Sequence, residues 1–211
     1  MIDVTTSLAA TLWADNADLA KQALEHRFVR GLANGALPRA TFAGYIVQDA
    51  FFLDSFARAY ALALAYCPDP VGAREFFDLL SGVFEELHLH ASYAARWGAS
   101  LESCAPLPAT LAYTTFLLTT AEDRHTGETC AAMTPCMRLY AYLGQSLSGA
   151  GAGVDTNPYA DWVRTYGAPE FDALAGRLEV LLDRYAQDSA RVRAIYRRAM
   201  VLELDFFEAA A

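Results

Sequence analysis

Lysine occurs once in this 211-residue chain, at Lys21, and the formal net charge is −9. A nucleic-acid surface needs clustered cations to face phosphate, so this balance argues against a nucleic-acid partner. Long apolar runs are missing as well. Stretches such as Tyr60 to Tyr66 fall far short of the roughly 20 residues that cross a bilayer, and no basic region precedes an apolar one at the N-terminus. The expectation is a soluble, unexported protein with no membrane partner. The four cysteines, Cys67, Cys104, Cys130 and Cys136, form no C-x-x-C pair, which disfavours a disulfide framework or a zinc knuckle and fits reduced thiols in a cytoplasm. No segment alternates with period two, so the chain reads as all-α. The 55% hydrophobic content has no compositional break, which suits a single domain over residues 1–211.

Helical periodicity and punctuation divide the chain. Ser7 to Leu32 reads as one helix or two with a break near Asp15-Asn16; Gly31, Gly35 and Pro38 then make a turn. A long helix runs from Pro38 or Thr41 to Tyr66, and Cys67-Pro-Asp-Pro70 ends it and starts the next, which reaches Trp97-Gly98. Pro106 and Pro108 open a helix over about Ala109 to Ala121. Glu128 to Gly144 follows. Asn157-Pro158 has the form of a cap and first turn for a short helix ending at Tyr166-Gly167. Pro169 to about Gln187 and Ser189 to about Ala209 complete the set.

Several residues stand where chemistry is possible. Cys136, Leu139, Tyr140 and Leu143 share a helical face, which puts a thiol and a phenol on one stripe. Pro135 implies a helix start or a kink at the cysteine, and a start would aim free N–H groups at the sulfur and favour thiolate. The plainer reading is a small buried hydrophobe. Phe42, Tyr45, Asp49, Phe52 and Phe56 make an aromatic face with a carboxyl in it, and Glu203 lies among apolar residues in the same way. A buried carboxyl is costly and marks either a structural hydrogen bond or a site. His26 reads as a hydrogen-bonded structural residue. Glu85 and His88 have the Glu-x-x-His spacing of carboxylate-bridged di-iron bundles; taken as the one such pair, they favour a solvated cluster with Glu86 and His90.

The order of motifs resembles the TenA family, that is thiaminase II or aminopyrimidine aminohydrolase. The match is carried by His26-Arg-Phe-Val-Arg-Gly31, Gly35-Ala-Leu-Pro38, Tyr45-Ile-Val-Gln-Asp-Ala-Phe-Phe-Leu53, Glu86 with His90, Tyr113-Thr114, Pro135-Cys136 with Tyr140 and Gly144, Trp162 with Tyr166-Gly167, and Glu203 with Phe206. It implies a haem-oxygenase-like helical bundle that hydrolyses aminopyrimidines or thiamin without a cofactor or metal, as a cytoplasmic homotetramer. The resemblance gives Cys136 the role of nucleophile, Glu203 that of proton donor to a ring nitrogen, and Asp49 that of the acid on the pyrimidine edge. Tyr113, Tyr140, Tyr166, Tyr45, Phe52 and Glu86 would bind substrate. Phe52 departs from the tyrosine frequent in the family, and Met137-Arg138 is less aromatic than usual. Two competing readings are a metal-dependent oxidase on the same fold and a pyrimidine-binding protein without turnover.

Overall fold

The computed structural model describes residues 7–97 and 105–211, with the side chains of residues 85–86 and 88–96 left out of the description. Ten helices run through the described residues, and there is no strand among them, in agreement with the all-α reading. The N-terminal stretch is split further than expected, into α1 (Leu8–Asp15), α2 (Ala17–Glu25) and α3 (Arg27–Asn34). The first break falls at Asn16, whose side chain binds back to the Leu12 carbonyl at 2.8 Å. The second falls at His26. Its Nδ1 accepts from the Phe28 N–H at 3.2 Å and so caps α3, while Nε2 lies 3.1 Å from Glu208. The structural reading of His26 therefore holds. Gly35 ends α3 with φ of 72°, a conformation that a side chain disfavours.

Helices α4 (Arg39–Tyr66) and α5 (Pro70–Trp97) pack along each other and begin and end where the prolines and Cys67 indicate. After α6 (Pro108–Glu122) comes α7 (Thr126–Gly149), then α8 (Ala160–Gly167), α9 (Pro169–Tyr185) and α10 (Ala190–Ala210). Helix α7 buries residues on every side and packs on α8, α9 and α10, so it is the central helix of the core.

The structure revises two sequence expectations: of the helix start and the kink that Pro135 allows, the start fails, and the Asn157 cap stands two residues ahead of the helix's own cap position. Helix α7 begins at Thr126, ahead of Glu128, and continues through Pro135, so Cys136 sits mid-helix and no free N–H groups of a helix start face its sulfur. Burial on all sides holds α7 together across the missing proline donor. Helix α8 starts at Ala160, later than a cap at Asn157 requires. The Asn157 Oδ1 accepts from the Tyr159 N–H at 2.9 Å and turns the chain ahead of the helix, while its amide NH2 donates to the carbonyls of Leu32 and Ala152, both at 2.9 Å, and pins the loop to the end of α3.

Candidate active site

Helices α4, α5, α7, α8 and α9 line a narrow cleft of about 50 Å³ that opens to solvent. Asp49, Phe52, Cys136, Tyr140 and Tyr166 line it, so five of the nine residues expected at the site border one cleft. Asp49 and Phe52 come from the aromatic face of α4, and both are buried. Cys136 and Tyr140, one helical turn apart on α7, meet them, and Tyr166 packs edge-on against Tyr140 with ring centroids 4.8 Å apart.

Glu203, Tyr113 and Tyr45 stand behind this wall and do not line the open space. Glu203 is 1% exposed on α10 and accepts a 2.7 Å hydrogen bond from the Tyr113 hydroxyl. Burial pushes its carboxyl up to about 8 from an ordinary 4.5; the Tyr113 hydroxyl and the Cys136 thiol, both hydrogen-bonded to it, pull the other way, and the nearby Asp49 charge adds to the rise. At neutral pH it is mostly the neutral acid. The Tyr113 phenol is itself held well above its usual range, first by burial and then by the Glu203 charge. Tyr45 donates to the Tyr140 hydroxyl at 3.2 Å and accepts from the Trp162 indole N–H at 3.3 Å. This chain of bonds fixes the Tyr140 phenol at the cleft.

The Glu86 side chain lies outside the described residues, as do those of Glu85, His88 and His90. Among the described residues no cluster of His, Cys, Asp and Glu could hold a metal ion. The sequence in fact holds a second Glu-x-x-His, Glu122 with His125, so the reading of a lone pair was incorrect. This second pair is exposed at the corner between α6 and α7, where it faces no bundle interior.

Other wall residues went unassigned in the sequence. Tyr60 and Leu53 extend the α4 stripe of Asp49, Phe52 and Phe56, a signal already present in the periodicity. Gly82, Phe171 and Leu174 reach the cleft only through tertiary packing of α5 and α9. Trp162 acts at one remove, through Tyr45.

The TENA/THI-4/PQQC family model matches residues 13–211. The aminopyrimidine aminohydrolase of Halalkalibacterium halodurans is 31% identical over 213 residues, which cover 97% of this chain and 95% of that protein. The mitochondrial bifunctional TH2 protein of Arabidopsis thaliana is 35% identical over 203 residues, 84% of this chain, which spans only 33% of that protein's length. Among solved structures, the TenA homologue from P. horikoshii OT3 superimposes with a TM-score of 0.88 at 27% identity, covering 97% of this chain and 98% of the other. Heme oxygenase from Leptospira interrogans gives a TM-score of 0.61 at 17% identity over 97% of this chain and 100% of its own, so the helices have the haem-oxygenase-like arrangement. The match runs over almost the entire sequence, and the chain belongs to the TENA/THI-4/PQQC family.

Proposed function

We propose that the protein is a thiamin-salvage hydrolase, acting on 4-amino-5-aminomethyl-2-methylpyrimidine, on thiamin, or on both. The observation that carries this reading is the Glu203 carboxyl, held at about 8 in direct contact with Cys136 and beside Asp49. A neutral acid next to a soft nucleophile is what addition to an electron-poor aromatic ring needs, since neither group suffices alone. The name of the Halalkalibacterium halodurans relative supports the substrate class.

In this reading the pyrimidine enters between Phe52, Tyr140 and Tyr166, with its ring nitrogen toward the inner wall where Glu203 stands behind Cys136. Asp49 accepts a hydrogen bond from the ring's amino edge. The Cys136 thiol passes its proton to the Asp49 carboxylate as its sulfur bonds to the ring carbon beside the one that bears the arm, while Glu203 gives its proton to the ring nitrogen. The arm's C–N bond then breaks, and ammonia from the protonated amine, or the thiazole from its cationic form, departs with the electron pair. Water adds to the exposed methylene and sheds a proton to solvent, the C–S bond breaks as the sulfur takes its proton back from Asp49, and the ring proton returns to Glu203. The product is hydroxymethylpyrimidine, and no cofactor takes part. Aromatic walls hold the ring in line with the sulfur, which lowers the entropic cost of attack.

The same resemblance supports a cytoplasmic homotetramer, which light scattering on the purified protein tests. The reaction is tested by giving thiamin and the aminomethyl pyrimidine in parallel to the wild-type protein and to Cys136→Ser. Wild type forms hydroxymethylpyrimidine; the variant loses turnover by about a thousandfold or more and keeps its melting temperature. Full activity in Cys136→Ser would sink the mechanism, and binding without turnover would move the reading to a pyrimidine-binding protein.

A further inference from the structure

The chain of bonds from Trp162 through Tyr45 to Tyr140 joins α8, α4 and α7, and its chemistry favours one direction. An indole N–H donates and cannot accept, so Trp162 gives its proton to the Tyr45 oxygen. Burial holds both phenols well above their usual range, so each keeps its own proton at neutral pH. Tyr45 is 0% exposed, and among the described residues the Tyr140 oxygen at 3.2 Å is the acceptor that its proton reaches. The opposite direction would bury the Tyr45 proton without an acceptor, which costs more than a typical hydrogen bond contributes.

The consequence lies at the far end of the chain. Because its oxygen accepts from Tyr45, Tyr140 keeps a proton that no hydrogen bond among the described residues uses, and Tyr140 lines the cleft. An aminopyrimidine brings one amino donor and two ring-nitrogen lone pairs. In the hydrolase reading, on which this assignment rests, Asp49 takes the amino group and Glu203 serves the nitrogen beside the attacked carbon. The nitrogen next to the amino-bearing carbon is left without a donor.

We infer that Tyr45 is a positioning residue: from behind the wall it commits Tyr140 to donating its proton to that remaining nitrogen of the bound ring, while Trp162 closes the opposite direction. The site thereby selects a ring that offers a lone pair at this position. Neither Tyr45 nor Trp162 lines the cleft, so both act through the Tyr140 hydroxyl.

The test is calorimetric titration of wild type, Tyr140→Phe and Tyr45→Phe with hydroxymethylpyrimidine and with its analogue that carries CH in place of that nitrogen. The readout is the ratio of the two affinities. The ligands differ in basicity by the same amount for all three proteins, so only a change of ratio from one protein to another counts. Tyr140→Phe lowers the preference for hydroxymethylpyrimidine about tenfold, the worth of the lost bond. Tyr45→Phe keeps the ring and its packing, and lowers the preference on the order of threefold, because the Tyr140 hydroxyl loses the bond that orients and polarises it. A residue that only packs would weaken both ligands alike. An unchanged ratio in either variant overturns the inference, and so does the absence of binding by wild type. Turnover of thiamin and of the aminomethyl pyrimidine is followed in parallel: if wild type binds hydroxymethylpyrimidine but forms none, the hydrolase reading fails while the ratio still decides the direction of the relay.

Discussion

The Tyr113 hydroxyl donates a 2.7 Å hydrogen bond to the Glu203 carboxyl in a place closed to water, with the two residues 1% exposed each. The phenol favours the ionised carboxyl and burial opposes it more strongly, so the balance leaves Glu203 titrating near 8. Stability, pH response and chemistry of the site all depend on that balance.

Glu203→Gln separates the proton from the shape. In wild type the folded carboxyl titrates at about 8 and the unfolded one near 4.5, so folding takes up a proton between those values. The folded state therefore loses stability as pH rises through that window, and the loss is complete above the folded value. Glutamine removes the slope. Denaturant melts from about pH 5 to about pH 8 should show the variant gaining on wild type as pH rises, by an amount on the order of 5 kcal/mol at most. Turnover falls by about 10²–10⁴, because the ring nitrogen loses its proton donor. A pH-independent stability difference would contradict the raised carboxyl.

Tyr113→Phe should act in the opposite sense from a general weakening of the site. Removing the donor takes away a group that lowers the Glu203 value, so the carboxyl rises further. The alkaline limb of the kcat/KM profile then moves to higher pH. The ring contact with Phe52, 4.7 Å between centroids, remains, so the stability loss stays near the cost of one buried hydrogen bond, about 1–3 kcal/mol. An alkaline limb that moves down would show that the phenol's main effect is something other than stabilising the carboxylate.

Much of this arrangement was legible in the chain. The α4 stripe predicted a buried Asp49 from periodicity alone, and Glu203 among apolar neighbours was readable in the same way. Helix limits at prolines 70, 108 and 169 also stand as the sequence indicates. What was not legible depends on contacts across the fold. His26 breaks a helix because its ring can cap α3 and reach Glu208 on a distant helix, and Asn157 holds the turn before α8 with its Oδ1 while its amide ties that turn to the end of α3. Pro135 allows a helix start locally, but burial of α7 on all sides carries the helix through it. No local pattern indicates that Gly82 faces a cleft.

Arg138 carries a further prediction. Its guanidinium donates three bonds of 2.6 Å, two to Glu179 and one to Asp172, and thereby ties α7 to α9 two residues beyond Cys136. Helix α9 brings Phe171 and Leu174 to the cleft. Arg138→Met leaves two carboxylates without this partner in a half-buried setting. The expected loss is about 2–3 kcal/mol in chemical denaturation, between the limits for surface and buried pairs. KM rises more than kcat falls, because the wall moves while the thiol and the acid stay. A selective fall in kcat would instead place Arg138 in the chemistry.

Gly144 and Gly167 let two helices touch through their backbones. A Cβ at Gly144 would stand 2.2 Å from the Tyr166 carbonyl carbon and 2.3 Å from the Gly167 nitrogen, and one at Gly167 would stand 2.9 Å from the Gly144 oxygen. No flexible side chain can yield there, so Gly144→Ala must push α8 away from α7. Overpacking of this kind costs about 1–3 kcal/mol or more, and each kcal/mol lowers the melting temperature of a chain this size by about 2–4 °C. The displacement also reaches the site, since α8 carries Tyr166 into the cleft wall and Trp162 to the Tyr45 hydroxyl. The variant should therefore lose substrate affinity even at temperatures where it stays folded. Gly149→Ala is the matched control: it lies on the same helix, exposed, with nothing within 4 Å of a new Cβ, and should melt as wild type does. Equal melting temperatures for the two variants would mean that α7 and α8 do not approach as closely as Gly144 and Gly167 allow, and the placement of Tyr166 would need another cause.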